Sequence, residues 1–156
     1  MEFKTSGSAG FLTNHMARLF AHGLARRIEP LGLAPAQFMI LLELWEKDGR
    51  TQKELVQLLD VEQATIANTL ARMERDGLVK RKPNEADGRS QLIYMTARAK
   101  SLKEPAITAA HAQNTLALGE LSKDEISQFL DLIRRVIARM KASNEEGAGA
   151  DREDGT

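Results

Sequence analysis

The sequence predicts a mainly α-helical chain that carries one small β-hairpin. Three observations predict it. Apolar residues recur at helical spacing over most of the 156 residues. Thr51-Gln52-Lys53-Glu54 and Ser122-Lys123-Asp124-Glu125 are capping boxes, in which a hydroxyl and a carboxylate reciprocally satisfy the first free amides of a helix. Between Gly77 and Thr96 the pattern changes: Leu78-Val79-Lys80-Arg81-Lys82 and Gln91-Leu92-Ile93-Tyr94-Met95 read as strands, with Asp87-Gly88 as a turn signal between them.

Residues 1–9 are small and polar and are expected to be a flexible N-terminal segment. From Gly10 to Glu29, residues Phe11, Leu12, His15, Met16, Leu19, Phe20, Leu24 and Ile28 mark an amphipathic helix that ends before Pro30. Pro35 suits the first turn of a second helix, which continues to Lys47 and closes at Gly49. Phe38, Ile40, Leu41, Leu42, Leu44 and Trp45 supply its packing. Thr51 opens a third helix, with Leu55, Val56, Leu58 and Leu59 as its apolar side. After a tight turn at Asp60-Val61-Glu62, a fourth helix spans about Glu62 to Asp76, and Gly77 stops it. After the hairpin, Thr96 suits a helix cap, and Pro105 should kink or restart the helix that follows. The last helix begins at the Ser122 box, and Ile126, Phe129, Leu130, Ile133, Val136, Ile137 and Met140 form its stripe. Residues 143–156, acidic and without a large apolar side chain, are expected to be a disordered tail.

Composition narrows the class. The chain has no cysteine, hence no disulfide framework and no thiol switch. No apolar run approaches the ~20 residues of a membrane span. The N-terminus lacks a signal-peptide pattern, so the expected location is cytoplasmic, with no membrane partner. Formal charge is zero, but eight Lys/Arg stand against four Asp/Glu from Arg72 to Lys100, and seven against ten from Ser101 onward. The basic excess therefore falls on the fourth helix and the hairpin.

In that fourth helix Ile66, Leu70 and Met73 share a core-facing stripe. The opposite face carries Ala64, Thr65, Asn68, Arg72 and Arg75, with no carboxylate at its centre. Such a face is either an ordinary solvated one or one that suits a major groove. Small residues permit close approach there, Asn and Thr bond base edges, and Arg bonds guanine or phosphate. The hairpin adds Lys80, Arg81 and Lys82, and its tip presents Arg89, a side chain suited to a minor groove. Asp87, two residues before Arg89, is placed to hold that guanidinium by a charge-assisted bond. Arg50 is a further candidate phosphate donor.

Two short helices, Gly77-Leu78-Val79, a basic strand, Asp87-Gly88-Arg89-Ser90 and Leu92-Ile93-Tyr94-Met95-Thr96 together resemble the MarR family of winged-helix transcription regulators. Met95 stands where that family usually has Leu. The resemblance covers residues 10–141. It implies a winged helix-turn-helix domain at 35–97 and a helical dimerisation region built from both termini, at 10–34 and 98–142. It also implies a homodimer that binds double-stranded DNA. Gln63, Ala64, Thr65, Asn68, Arg72 and Arg75 would then lie on the reading helix, Lys80, Arg81 and Lys82 against phosphates, and Asp87, Arg89 and Ser90 in the wing.

The terminal helices either pack within one chain or intertwine with a second copy. The second arrangement is the expected one, through Phe11, Leu12, Leu116, Leu118, Leu121, Ile126, Phe129, Ile133, Val136, Ile137 and Met140. The resemblance further implies a small aromatic or anionic effector between the dimerisation helices and the winged domain. His15, Met16, Arg18, Phe20, Met39, Trp45 and His111 are the candidates to line its pocket, an apolar cleft with one cation.

No Gly-rich phosphate loop, nucleophile elbow or metal-ligand run is present, so neither catalysis nor a cofactor is expected. His15 and His22 lie seven apart on one helical face and would need ligands from elsewhere to hold zinc. The expected function is a sequence-specific regulator, a repressor of a pseudo-palindromic operator that a ligand releases. The alternative is a winged-helix dimer serving as a protein-interaction module.

Overall fold

The computed structural model describes the backbone of residues 4–153 and the side chains of residues 4–145. The first three residues of the expected flexible segment and the last three of the expected tail lie outside the described residues. The chain divides into two units, Met1–Asn114 and Thr115–Thr156.

In the first unit, a 3-10 turn at Thr5–Gly7 leads into α1 (Ala9–Ile28). The Ser8 hydroxyl accepts the Phe11 N–H at 3.3 Å, so residues 4–9, expected to be flexible, include an ordered helix cap. The outer part of α1 leaves Phe11, Leu12 and Leu19 exposed, and its buried residues are Gly23 and Ile28. The second helix, α2 (Pro35–Glu46), is the opposite case. Phe38, Ile40, Leu41 and Leu44 are all buried, as a central element requires. Its buried Gln37 is satisfied at both ends, accepting the Ala34 N–H at 3.1 Å and donating to an Asp76 carboxylate oxygen at 2.9 Å. The Trp45 indole N–H donates to the Ala99 carbonyl at 3.0 Å, and the ring meets Phe38 edge-on.

Next come β1 (Arg50–Thr51), α3 (Gln52–Leu59) and α4 (Gln63–Arg75). The Thr51 box forms in full: its hydroxyl accepts the Glu54 N–H at 3.1 Å, and Glu54 accepts the Thr51 N–H at 2.6 Å. Asp60 turns the chain between α3 and α4 in the left-handed region, at φ 51°. Gly77, at φ 71°, ends α4: the Leu78 N–H reaches the Met73 carbonyl and the Gly77 N–H the Glu74 carbonyl, a Schellman closure.

The hairpin is β2 (Val79–Pro83) and β3 (Gln91–Met95), antiparallel, with Val79 opposite Met95 and Pro83 opposite Gln91. The strand β1 carries no sequence signal of its own, and its Arg50 pairs with Ile93 to make the sheet order β1-β3-β2. A two-residue strand is too short to show a period of two. Thr96 then caps α5 (Ala97–Ser101), and the helix restarts as α6 (Lys103–Ala117), with Pro105 in its first turn. Pro105 thus sits where its missing N–H costs no helical bond. Leu55, Ile66, Leu70, Met73, Leu78 and Ile93 meet beneath the helices and sheet, with 0–3% of their surface exposed. Burying each such side chain contributes about 1.5–3 kcal/mol, which fixes α4 and the hairpin on one base.

The second unit contains α7 (Lys123–Glu153), opened by the second capping box. The backbone remains helical beyond 142, where a disordered tail was expected. Ser143, Asn144 and Glu145 contain neither proline nor glycine, so no local stop signal falls there. Among the described residues no helix is long and apolar enough to cross a membrane.

Candidate nucleic-acid interface

The helix α4 is built with two sides. Ile66, Leu70 and Met73 enter the core, and Thr69 joins them by turning its hydroxyl back to the Thr65 carbonyl at 2.8 Å. Gln63, Ala64, Thr65, Asn68, Arg72 and Arg75 are all exposed on the outer side. No carboxylate lies between Gln63 and Arg72 in the chain. Arg75 reaches Asp76 only at 3.8 Å and stays 73% exposed, so its charge is available to a partner.

The loop joining β2 to β3 closes on itself. Asn84 donates its side-chain amide to the Ser90 hydroxyl at 3.0 Å, and the Ser90 N–H reaches the Asp87 carbonyl at 3.1 Å. Asp87 does not clamp the Arg89 guanidinium, as its sequence position suggested. Its carboxylate accepts the Arg89 backbone N–H at 3.0 Å, because an Asx side chain two residues back reaches the amide first. The Arg89 side chain is left exposed at the tip. Lys80 is exposed as well, and the Lys82 ammonium lies 4.9 Å from the centre of the Tyr94 ring.

Two arginines expected to meet phosphate are instead held by carboxylates. Arg81 Nε donates to Glu74 Oε1 at 2.5 Å, joining β2 to α4. Arg50 Nε donates to the Glu43 carbonyl at 3.1 Å, and its guanidinium lies 3.7 Å from the Glu43 carboxylate, with 12% of the side chain exposed. Glu43 is correspondingly the ion-pair partner of Arg50.

A cleft of about 520 Å³ lies between α3, α4 and the hairpin, lined by Gln63 of α4, by Arg81, Arg89, Ser90 and Gln91 of the hairpin, and by Thr51, Gln52, Lys53 and Val56. Three cations and no carboxylate face it. Lys53 was missed in the sequence, although its place in the first turn beside the Thr51 box was visible. Ala64, Thr65, Asn68, Arg72, Arg75, Lys80, Lys82 and Asp87 lie outside this cleft.

A second cavity, about 780 Å³, lies among α1, α2 and α6. Phe20, Met39 and His111 line it, joined by Ala17, Leu24, Phe38, Leu42, Ile107 and Gln113. His15, Met16, Arg18 and Trp45 do not. His15 packs edge-on against Phe11, and Trp45 is committed to Phe38 and Ala99. No lysine or arginine lines the cavity, so the expected apolar cleft lacks its expected cation. Among the described residues no group of three or more His, Asp or Glu could hold a metal ion.

Comparison with known proteins gives a consistent picture. Residues 31–90 match the model of the MarR family. The transcriptional regulator HosA of Escherichia coli is 30% identical over 125 residues, covering 80% of this chain and 93% of HosA. The crystal structure of a probable transcriptional regulator from Pseudomonas aeruginosa superposes with a TM-score of 0.79 at 28% identity, covering 85% of this chain and 99% of that one. A mutant MarR from E. coli, solved in complex with operator DNA, shares the fold with a TM-score of 0.77 at 24% identity, covering 81% of this chain and 91% of that one.

Proposed function

The chain belongs to the MarR family of transcriptional regulators, and from that premise we propose that it binds a pseudo-palindromic operator as a homodimer and represses transcription there. The observation that carries this reading is the exposed, carboxylate-free stretch of α4 from Gln63 to Arg72, set beside a cationic cleft and wing. In the proposed complex Thr65, Asn68 and Arg72 meet base edges in the major groove, with Gln63 and Ala64 allowing close approach. Lys80, Lys82 and Arg75 neutralise phosphates, Arg89 enters the adjacent minor groove, and Ser90 and Asp87 keep the wing loop shaped for it. The relative of the same fold solved with operator DNA supports DNA as the partner.

Exposed apolar side chains support the dimer. Phe11 is 43%, Leu116 68%, Val136 57%, Ile137 48% and Met140 63% exposed, and Leu12 and Leu121 are exposed as well. Leu118, Ile126, Phe129 and Ile133 are half-buried within the chain and would complete their burial in a dimer. A two-fold pair would set two copies of α4 about one DNA turn, ~34 Å, apart.

The cavity among α1, α2 and α6 supports an effector. With Phe20 and Phe38 in its walls and no lysine or arginine, it favours a small aromatic ligand, and His111, Gln113 and Asn114 offer it polar contacts. Such a ligand would release DNA by favouring a helix spacing that no longer matches the operator.

Fluorescence anisotropy on a duplex from the protein's own upstream region, against a scrambled duplex at two salt concentrations, tests the proposal. A preference of ~10³ or more with two chains per duplex is expected. Equal, salt-sensitive affinity for both duplexes would reduce the interface to charge attraction. Absence of binding at low salt would favour a protein-interaction module.

A further inference from the structure

We infer that Glu74 is a positioning residue for DNA binding: through Arg81 it holds the wing in place against α4, and its carboxylate strengthens binding despite having the wrong charge for it. The inference rests on the DNA-binding reading above. Glu74 stands on α4, the helix assigned to the major groove, where a carboxylate repels phosphate. Taken alone it should weaken the complex. Its position within the fold argues otherwise.

Arg81 occupies the middle of β2, opposite the fully buried Ile93 of β3. Its Nε–H donates to Glu74 Oε1 at 2.5 Å, with 25% of the Arg81 side chain and 40% of the Glu74 side chain exposed. Among the described residues no other side-chain hydrogen bond joins β2 or the 84–90 loop to α4. The loop is closed by its own contacts, Asn84 to Ser90 and Asp87 to the Arg89 amide, so it moves as one piece on the two strands. Arg81 also lines the cleft that Arg89 and Ser90 share with Gln63. The shared core seats the strands on α4, and the guanidinium of Arg81 adds a polar restraint on where Arg89 stands relative to the helix proposed to read the major groove. Preorganisation of that kind spares the complex the cost of ordering the wing on binding.

The test uses the full-length chain as wild type, Glu74→Ala, Arg89→Ala and the double variant, with sedimentation and thermal melting as checks on assembly and folding. On the operator duplex Glu74→Ala is expected to bind about fivefold more weakly, the factor that roughly 1 kcal/mol represents. In the Arg89→Ala background the same change is expected to cost less than about twofold, because the brace acts through Arg89. Simple charge removal predicts the reverse sign, tighter binding by Glu74→Ala, and that result or unchanged affinity overturns the inference. Equal losses in both backgrounds also overturn it, since they mark a general structural effect. Amide hydrogen exchange reads the brace without DNA. Glu74→Ala is expected to speed exchange over residues 79–90 by about fivefold, and unchanged protection sinks the brace whatever the DNA result. If wild type binds no duplex specifically, the DNA reading fails by itself, and exchange still decides the brace.

Discussion

Gly49→Ala is expected to be far more damaging than Gly77→Ala, although both glycines sit at nearly the same backbone angle. Gly49 has φ 74° and Gly77 φ 71°. An L side chain in that region costs roughly 1–2 kcal/mol, partly offset by the lower entropy of the unfolded alanine chain, which leaves about 1 kcal/mol net. Around Gly77 nothing lies within 4 Å of a new Cβ, so that term stands alone. At Gly49 the new Cβ would sit 2.9 Å from two carbons of the Tyr94 ring, well inside contact distance. Tyr94 lies in β3, opposite Lys80, and its ring faces the Lys82 ammonium. The Gly49 N–H also donates to the Ile93 carbonyl at 3.0 Å, so the backbone has little room to retreat. Overpacking of this kind adds roughly 1–3 kcal/mol. The total, about 2–4 kcal/mol against about 1, corresponds to a loss of roughly 4–16 °C in Tm for Gly49→Ala and 2–4 °C for Gly77→Ala. Thermal melts by circular dichroism at one fixed protein concentration measure both. Equal losses would refute the reasoning, because they would mean that the Tyr94 ring yields without cost.

Further outcomes follow from the same geometry. Arg89→Ala is expected to weaken operator binding while sedimentation still reports a dimer; unaltered affinity would remove the wing tip from the interface. Asn68→Ala should lose about 1–3 kcal/mol on the operator and much less on a scrambled duplex, and equal losses on both would mean that Asn68 touches phosphate rather than a base. Ile137→Glu places a charge on the exposed α7 stripe and should shift sedimentation from two chains to one with α-helical circular dichroism retained. A variant that remains dimeric would move the interface elsewhere.

Local chemistry is what the sequence displays best. The Thr51–Glu54 and Ser122–Glu125 boxes, the Gly77 stop and the Ile66–Leu70–Met73 stripe all depend on partners within one or two helical turns. The hairpin was legible for a similar reason: its strands are adjacent in the chain, and a turn signal lies between them. What escaped depends on distance through space. Arg81 reaches back over seven residues to Glu74, and Arg50 over seven to Glu43, across a change of element that no periodicity encodes. Phosphate was therefore assigned to side chains that the fold had already engaged. The cavity residues Ala17, Pro35 and Ile107 carry no sequence signal of a pocket, because a void appears only where three helices fail to meet. The N-terminal cap at Ser8 was overlooked inside a small, polar run whose composition resembles a linker.

Asp76 ends α4, and side chains from three positions hold the chain there. Gln37 of α2 donates to its carboxylate, Arg98 of α5 donates to its carbonyl, and the neighbouring Gly77 carbonyl accepts the Thr96 hydroxyl at 2.7 Å. At the other end Glu62 makes no side-chain cap bond. The helix is thus hydrogen-bonded to its neighbours at its rear and seated toward its front by apolar packing through Ile66, so a tilt that yields in that packing has its fulcrum at Asp76. With 13 residues at 1.5 Å each the arm is about 20 Å long, so a rotation of about 10° displaces the Gln63 end by about 3 Å. That stroke is comparable to a hydrogen-bond length, enough in the proposed complex to take Thr65 out of step with a base edge while Arg75, near the fulcrum, scarcely moves.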